Sequence, residues 1–319
     1  MKALLFAVAL ALPAGAQAQA FPSKVVKLVV AYAPGGATDV VTRAVAQRLS
    51  PMWGQPVVVE NKPGANTNIA AGEVAKASAD GYTLLSTAET TFAVNPYVYT
   101  QLPFDPAKDY VPVTGLGIVN QVLAVNPALP YRSVADVIAA AKAEPGKLNY
   151  AAFGPGSSPH LNMEMFLHMA GVQMTPVHYK GGAPALTDVI GGHVPMIILS
   201  TTLTAKPYKA GQLRILGVGS KQRLAAFPEL PTIAESGLPG YEAVSWFGLF
   251  APAATPREVV GKINADVQRV LTDPDFREKF LAPNYFEPVT GSPSEFAAYV
   301  KRESDKWGQV IRAAKITVE

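Results

Sequence analysis

The stretch VKLVVAYAPGGATDVVTRAVAQRL, Val26–Leu49, decides the fold. Its first seven residues, Val26–Tyr32, have the apolar, β-branched composition of a buried strand. The run breaks into Pro34-Gly35-Gly36 and restarts with apolar residues at helical spacing. A strand that turns through glycines into an amphipathic helix is half of a βαβ unit. The turn leaves the first N–H groups of the helix without carbonyl partners, and glycine carries no side chain to cover them.

Reading outward, PVVVEN (56–61) is a short strand, NIAAGEVAKASA a helix and YTLLSTA (82–88) a strand. Strand, helix, strand, helix, strand implies a parallel sheet with crossover helices. After DYVPVTGLG the next strand is NQVLAVNP, and the pattern begins again after about residue 123. SVADVIAAAKAEPGKL is a helix with Ser133 as N-cap and Gly146 as its stop. LNYAAF, MTPVHYK, VPMIILST and RILGVGS read as strands, with helices SPHLNMEMFLHMAG and APALTDVIGGH between them. The restart predicts two similar α/β domains. AVSWFGLFAPAATP then reads as a long strand, and the helix-rich remainder as a cap, without new strands, that returns to the first domain.

The first twenty residues, MKALLFAVALALPAGAQAQA, stand apart from the fold. One lysine precedes an apolar run too short to span a bilayer, and Ala18-Gln19-Ala20 offers small residues for cleavage. A removed secretory signal over residues 1–20 implies that the mature chain is exported. No later segment has the uninterrupted apolar length of a membrane span. The chain has no cysteine, which excludes disulfides and thiolate metal sites. With 49% hydrophobic and 16% charged residues, disorder is not expected. A net charge of +3 without a long basic run does not argue for nucleic acid, though it suits a small anion.

Three strand-to-helix loops carry the candidate chemistry. In open parallel sheets ligands sit at the carboxyl ends of strands, where helix N-termini bring N–H donors and partial positive charge. The first loop is Ala33–Asp39, where Gly35 and Gly36 free the backbone and Thr38 or Asp39 can cap the helix. The second is Phe153–Phe166, with Gly154, Gly156, the hydroxyls of Ser157 and Ser158, and Pro159 in the first turn. Ser157 or Ser158 with His160 as base is the enzymatic alternative, a secreted serine esterase, but the spacing is poor and no Gly-x-Ser-x-Gly elbow is present. The third is His178–His193, where Lys180 and Gly181-Gly182 precede a helix. The four histidines lack metal-binding spacing, since His160 and His168 lie about two turns apart. Glu89 and Asp188 are lone carboxylates without an evident partner, and Asp39 and Arg43 have the spacing of a helix-surface pair.

YAPGGATDVVTRAVAQRL, VVVENKPGA, ADGYTLL, NPYVY, YAAFGPGSSPHLNMEMF, HYKGGAPALTDVIGGHV and FPELPTIAESGLPGYEAVSWFGLFAPAATP, in this order, cover nearly the whole mature chain. In them the sequence resembles the periplasmic substrate-binding proteins of tripartite tricarboxylate transporters, the Bug family. The resemblance implies an α/β, two-lobed type II periplasmic-binding-protein fold, a Venus flytrap. Its two crossing strands, the hinge, would fall at about Asn120–Asn126 and Ala243–Phe250. Domain 1 would comprise 21–122 and 244–319, and domain 2 would comprise 123–243. It also implies a monomer without cofactor or metal that captures a di-/tricarboxylate or an aromatic acid and delivers it to membrane permease subunits. A ligand-presenting sensor subunit for a membrane kinase is the alternative within the family's architecture.

By the same resemblance, the donors around Pro34-Gly35-Gly36 and Thr38, with Ala33 and Asp39 beside them, hold a carboxylate from the first domain. Gly156, Ser157, Ser158 and His160 hold it from the second, beside Lys180 and Gly181. Thr87, Ala88 and Phe247 are further pocket candidates. The sequence departs from the family pattern after NKPGA, where Asn66-Thr67-Asn68 replaces the usual Gly-Gly. Pro195 and Ser200 also stand where members often carry aspartates. Loss of a negative group beside Ser200 and Thr201 favours a second carboxylate or an aromatic acid over an ammonium-bearing ligand.

Overall fold

The computed structural model describes residues 21–154, 156–314 and 316–317; the signal-peptide expectation, residues 1–20, lies outside the described residues. In chain order the elements are β1 (Val26–Val30), α1 (Ala37–Trp53), β2 (Val57–Asn61), a 3₁₀ turn (Ala65–Thr67), α2 (Asn68–Val74) and β3 (Thr83–Ala88). A π-type turn (Thr90–Val94) leads through α3 (Asn95–Val98) to the long β4 (Tyr110–Val125). There follow α4 (Val134–Ala143), β5 (Asn149–Ala152), α5 (Ser158–Ala170), β6 (Thr175–His178), α6 (Gly182–Ile190), β7 (Met196–Ser200), α7 (Thr201–Lys209) and β8 (Arg214–Val218). The chain ends with β9 (Val244–Pro252), α8 (Arg257–Thr272), α9 (Pro274–Phe276), a second π-type turn (Arg277–Leu281), β10 (Phe286–Glu287) and α10 (Pro293–Ala314).

The strands connect in the order β2-β1-β3-β9-β4-β7-β5-β6, with β10 and β8 also on β4. β1 is parallel to β2 and β3, while β9 runs antiparallel to β3 and β4. In the second sheet β5 is parallel to β6 and β7, and β4 is antiparallel to β7 and β8. β4 therefore belongs to both sheets. Its pairing with β9 ends at Asn120↔Val244, and its pairing with β7 begins at Gln121↔Ser200. A second crossing is tied beside it, where Ala243 N–H donates to Gly219 and Gly219 N–H donates to Gln121. This is the α/β periplasmic-binding-protein fold, with two strands passing between two sheets.

Two expectations need correction. β4 begins at Tyr110, not near Asn120. Pro112, Gly115 and Gly117 give its first half a loop-like composition, but the sheet accommodates them at register shifts against β9. The space also requires glycine: a Cβ on Gly115 would lie 2.3 Å from Val289 Cγ1. The carboxy-terminal segment does contain a new strand, β10, on the edge of β4.

Among the described residues, three apolar clusters hold the fold. One lies between the first sheet and α1 and α8, and includes Leu28, Val45, Phe247 and Ile263. Another lies under α6 and α7, and includes Val122, Ile197 and Leu199. The third runs continuously from Trp246, Phe250 and Trp307 to Tyr150, Phe166 and Ile198, so it joins the two sheets on one face. α10 sits over that junction and packs against both β4 and α5.

Candidate functional site

Each sheet presents one glycine loop built in the same way. In the first sheet, Ala33–Gly36 is exposed, and Gly35 adopts φ +85° with open space where a Cβ would be. Gly36 is the N-cap of α1 and has no side chain to bond the helix. Instead Asp39, the third helical residue, reaches back so that its Oδ2 accepts the Gly35 N–H at 2.9 Å. Its Oδ1 accepts Arg43 Nε at 2.9 Å and Asn61 Nδ2 at 2.8 Å, and Asn61 also donates to the Tyr32 carbonyl. Burial works to raise the Asp39 pKa, but the Gly35 N–H, Arg43 and Asn61 outweigh it and hold the carboxyl below its ordinary value. Asp39 is thus a brace with both oxygens occupied.

In the second sheet, Gly156 adopts φ +73° and Ser157 is the N-cap of α5. The Ser157 hydroxyl accepts the Phe153 N–H at 3.2 Å and makes no cap bond to the helix. His160, again the third helical residue, accepts the Gly156 N–H on Nδ1 at 3.2 Å. Two loops on two sheets therefore share one device: the third residue of the helix holds the N–H of the glycine before the cap. The first intrahelical bonds come only at Val40 to Gly36 and Leu161 to Ser157. The preceding first-turn N–H groups are the natural donors to an anion.

The geometry argues against a serine esterase. His160 bonds Gly156, lies 3.8 Å from Glu164 through Nε2, and makes no hydrogen bond to Ser157 or Ser158 among the described residues. Burial, then the neighbouring His178, lowers its pKa to about 4, which leaves a poor base held in a structural bond.

Gly181 caps α6 at φ +115°, and exposed Lys180 makes no ion pair among the described residues. Ser200 caps α7, while Thr201 is fully buried, its hydroxyl unpartnered among the described residues. Thr201 also borders a cavity of about 510 Å³ with Asn120, Leu224, Arg277, Tyr285 and Glu287, whose lining does not include the two glycine loops. Thr87 and Ala88 end β3 in buried positions. Phe247 pairs with Ala88 but turns its ring into the first-sheet core against Phe286, 5.6 Å away between centroids, and is 4% exposed. Side-chain alternation on β9 puts it on the α1 and α8 face, so it backs the site rather than opening into it.

Asn66 lies in a strained turn. Ala65, Asn66 and Thr67 all have positive φ, where glycine is the easy residue. Side-chain bonds hold the turn: Asn66 Nδ2 donates to Asn95 Oδ1 at 2.8 Å, and Thr91 donates to Thr67 at 2.8 Å. The Asn66 amide is thereby tied to Asn95. Thr91 bonds the Thr87 hydroxyl as well, which links this turn to the end of β3.

Sequence reasoning missed the polar cluster at the crossing. Glu89, just past β3, is 4% exposed and accepts the Ser245 hydroxyl on Oε1 at 3.0 Å. Ser245 also receives Gln121 Nε2 at 3.0 Å and meets the Ser158 hydroxyl at 3.3 Å. Ser158 in turn receives Asn162 Nδ2 at 3.2 Å. Asp188, the other lone carboxylate, accepts the Tyr179 hydroxyl at 2.8 Å.

Comparison with known proteins agrees with this architecture. Residues 41–316 match the model of the tripartite tricarboxylate transporter family receptor, TctC. The chain is 34% identical to protein BugT of Bordetella pertussis over 309 residues, covering 97% of this chain and 94% of that one. It is 40% identical to the R. palustris protein Rpa4515, solved with adipate, with a TM-score of 0.85 over 93% of this chain and 99% of the other. MatC from Rhodopseudomonas palustris, solved with bound malate, is 30% identical, with a TM-score of 0.81 over 91% of this chain and 100% of the other. The chain belongs to the TctC, or Bug, family of tripartite tricarboxylate transporter receptors, which are solute-binding proteins and not enzymes.

Proposed function

We propose that the protein captures a small organic carboxylate between two lobes, residues 21–122 with 244–319 and residues 123–243. The carrying observation is the paired brace, Gly35 to Asp39 and Gly156 to His160, which orders one anion-receptive helix start on each sheet. Main-chain N–H groups of the Ala33–Thr38 loop take the carboxylate from one side, and Ser157 and Ser158 take it from the other. A ligand touching both faces favours the closed arrangement by the contacts made only there. The absence of a carboxylate at Ser200 suits a second acidic group or an aromatic ring. Rpa4515 and MatC, holding adipate and malate, support a dicarboxylate. The chain acts in the periplasm after loss of residues 1–20 and hands its ligand to the membrane permease subunits of a tripartite transporter.

The test is thermal unfolding of the chain from Phe21 to Glu319 with adipate, malate, succinate, citrate, terephthalate, benzoate, aspartate and glutamate. At 100 times its dissociation constant a ligand adds about 2.7 kcal/mol, a shift of several degrees. A selective shift with an organic acid supports the reading. Stabilisation by neutral solutes alone, with every acid inert, refutes it.

A further inference from the structure

Among the described residues, Glu89, Ser245 and Ser158 form a hydrogen-bonded row across the junction of the two sheets, from the end of β3 through the start of β9 to the first residue of α5. A serine hydroxyl has one hydrogen to give and two lone pairs. With Glu89 ionised, Ser245 must donate to Glu89 Oε1. Its two lone pairs then receive Gln121 Nε2 and the Ser158 hydroxyl hydrogen. Ser158 also receives Asn162 Nδ2, so the one function left to it is a lone pair. That is the wrong sign for a carboxylate.

A proton on Glu89 reverses the row. Among the described residues Oε2 is buried without a hydrogen-bond partner, while Oε1 lies 3.0 Å from Ser245 Oγ, so the acid donates from Oε1 to Ser245. Ser245 then receives Glu89 and Gln121 and donates to Ser158. Ser158 now receives Ser245 and Asn162, and its own hydrogen is free.

We infer that Glu89 is a positioning residue for ligand capture: taking a proton from solvent onto Oε1, it turns the Ser158 hydroxyl from an acceptor into a donor toward the captured acid. The inference rests on the reading that Ser158 faces the ligand. It makes acid capture and proton uptake by Glu89 one coupled event.

The surroundings of Glu89 permit this. Burial pushes its pKa up to about 7, and the Glu303 carboxylate of α10 adds to the rise, while bonds from Ser245 and the backbone N–H groups of Glu89 and Trp246 work against it. Glu303 itself is paired with Lys306 at 2.8 Å. Tyr32 at the end of β1 and Tyr299 of α10 also face Glu89, and burial raises both phenols far above neutral pH. On the Ser158 side, His160 stays neutral above about pH 5. Glu89 is thus the group in this row that changes charge near pH 7.

The experiment uses ligand-free protein, so its failure is separate from failure of the ligand panel. Glutamate carboxyl carbons and serine β-carbons are labelled with ¹³C and followed by NMR from pH 5 to 9. The Glu89 and Ser158 resonances are assigned by their loss in Glu89→Gln and Ser158→Ala. The expected result is a Glu89 carboxyl that titrates within about one unit of pH 7 and a Ser158 resonance that moves with the same midpoint. In Ser245→Ala, Glu89 still titrates and Ser158 stands still. The inference is overturned by a Glu89 that keeps one charge state throughout, by a Ser158 resonance indifferent to it, or by a Ser158 that follows pH equally without the Ser245 hydroxyl. If Glu89→Gln does not fold, sequential assignment replaces it, and the Ser245→Ala comparison decides alone.

Discussion

Replacing Glu89 by glutamine should flatten one component of the protein's pH-dependent stability. The Glu89 pKa rises from its ordinary 4.5 to about 7 on folding, chiefly through burial. A group whose pKa is raised in the folded state binds more protons there than in the unfolded chain. Its contribution is therefore complete below pH 4.5 and is lost as pH rises through 7. Integrated between pH 5.5 and pH 8, the loss is about 2 kcal/mol. His160 acts with the opposite sign: lowered from 6.5 to about 4, it adds roughly 1 kcal/mol over the same rise. The wild-type curve alone will look nearly flat, so the quantity to measure is the difference between variant and wild type. Urea unfolding at pH 5.5 and pH 8 provides it. The stability of Glu89→Gln relative to wild type should rise by about 2 kcal/mol between pH 5.5 and pH 8. Parallel curves, with one constant offset at both pH values, would refute the argument, because they would show that Glu89 does not change charge in this range.

Asp39→Ala removes the acceptor for the Gly35 N–H, Arg43 and Asn61, and should cost about 1–3 kcal/mol in urea unfolding while weakening binding of whichever acid the panel identifies. Because the Asp39 pKa is lowered on folding, its stabilisation is present above the ordinary carboxylate pKa and is lost as pH falls through the folded value. Gly248→Ala would put a Cβ 2.3 Å from Phe296 Cζ and 3.1 Å from the Thr114 carbonyl, so the ring must move; about 1–3 kcal/mol of destabilisation in the same assay is expected. Ser133→Ala deletes one half of the capping box with Asp136 at the start of α4 and should cost about 1 kcal/mol, with no effect on ligand affinity.

Local rules carried the reading of the sequence a long way. The strand-to-glycine-to-helix breaks at Gly35-Gly36 and Gly156-Ser157 mark helix starts that the structure places where predicted. Ser133 is an N-cap, and Asp39 pairs with Arg43 four residues on. These features depend on residues within one or two turns of each other, which is the range over which spacing carries information. The departure from Gly-Gly at Asn66-Thr67 also falls on positions of positive φ. What holds those residues there, Asn95 and Thr91, lies 24 to 29 residues away and could not be assigned from the loop itself.

The sequence by itself determined the α/β alternation, the restart of the pattern, the glycine loops and the family. Tertiary structure alone decided three things. It made Tyr110–Val125 one strand, because burial between β9, β7 and β8 overrides the loop-like Pro112, Gly115 and Gly117. It turned the Phe247 ring into the core, because strand register sets which face a side chain takes. It gave Glu89 its partner in Ser245, 156 residues along the chain. A buried carboxylate takes its charge state from whatever folding packs around it, and no local spacing encodes those neighbours.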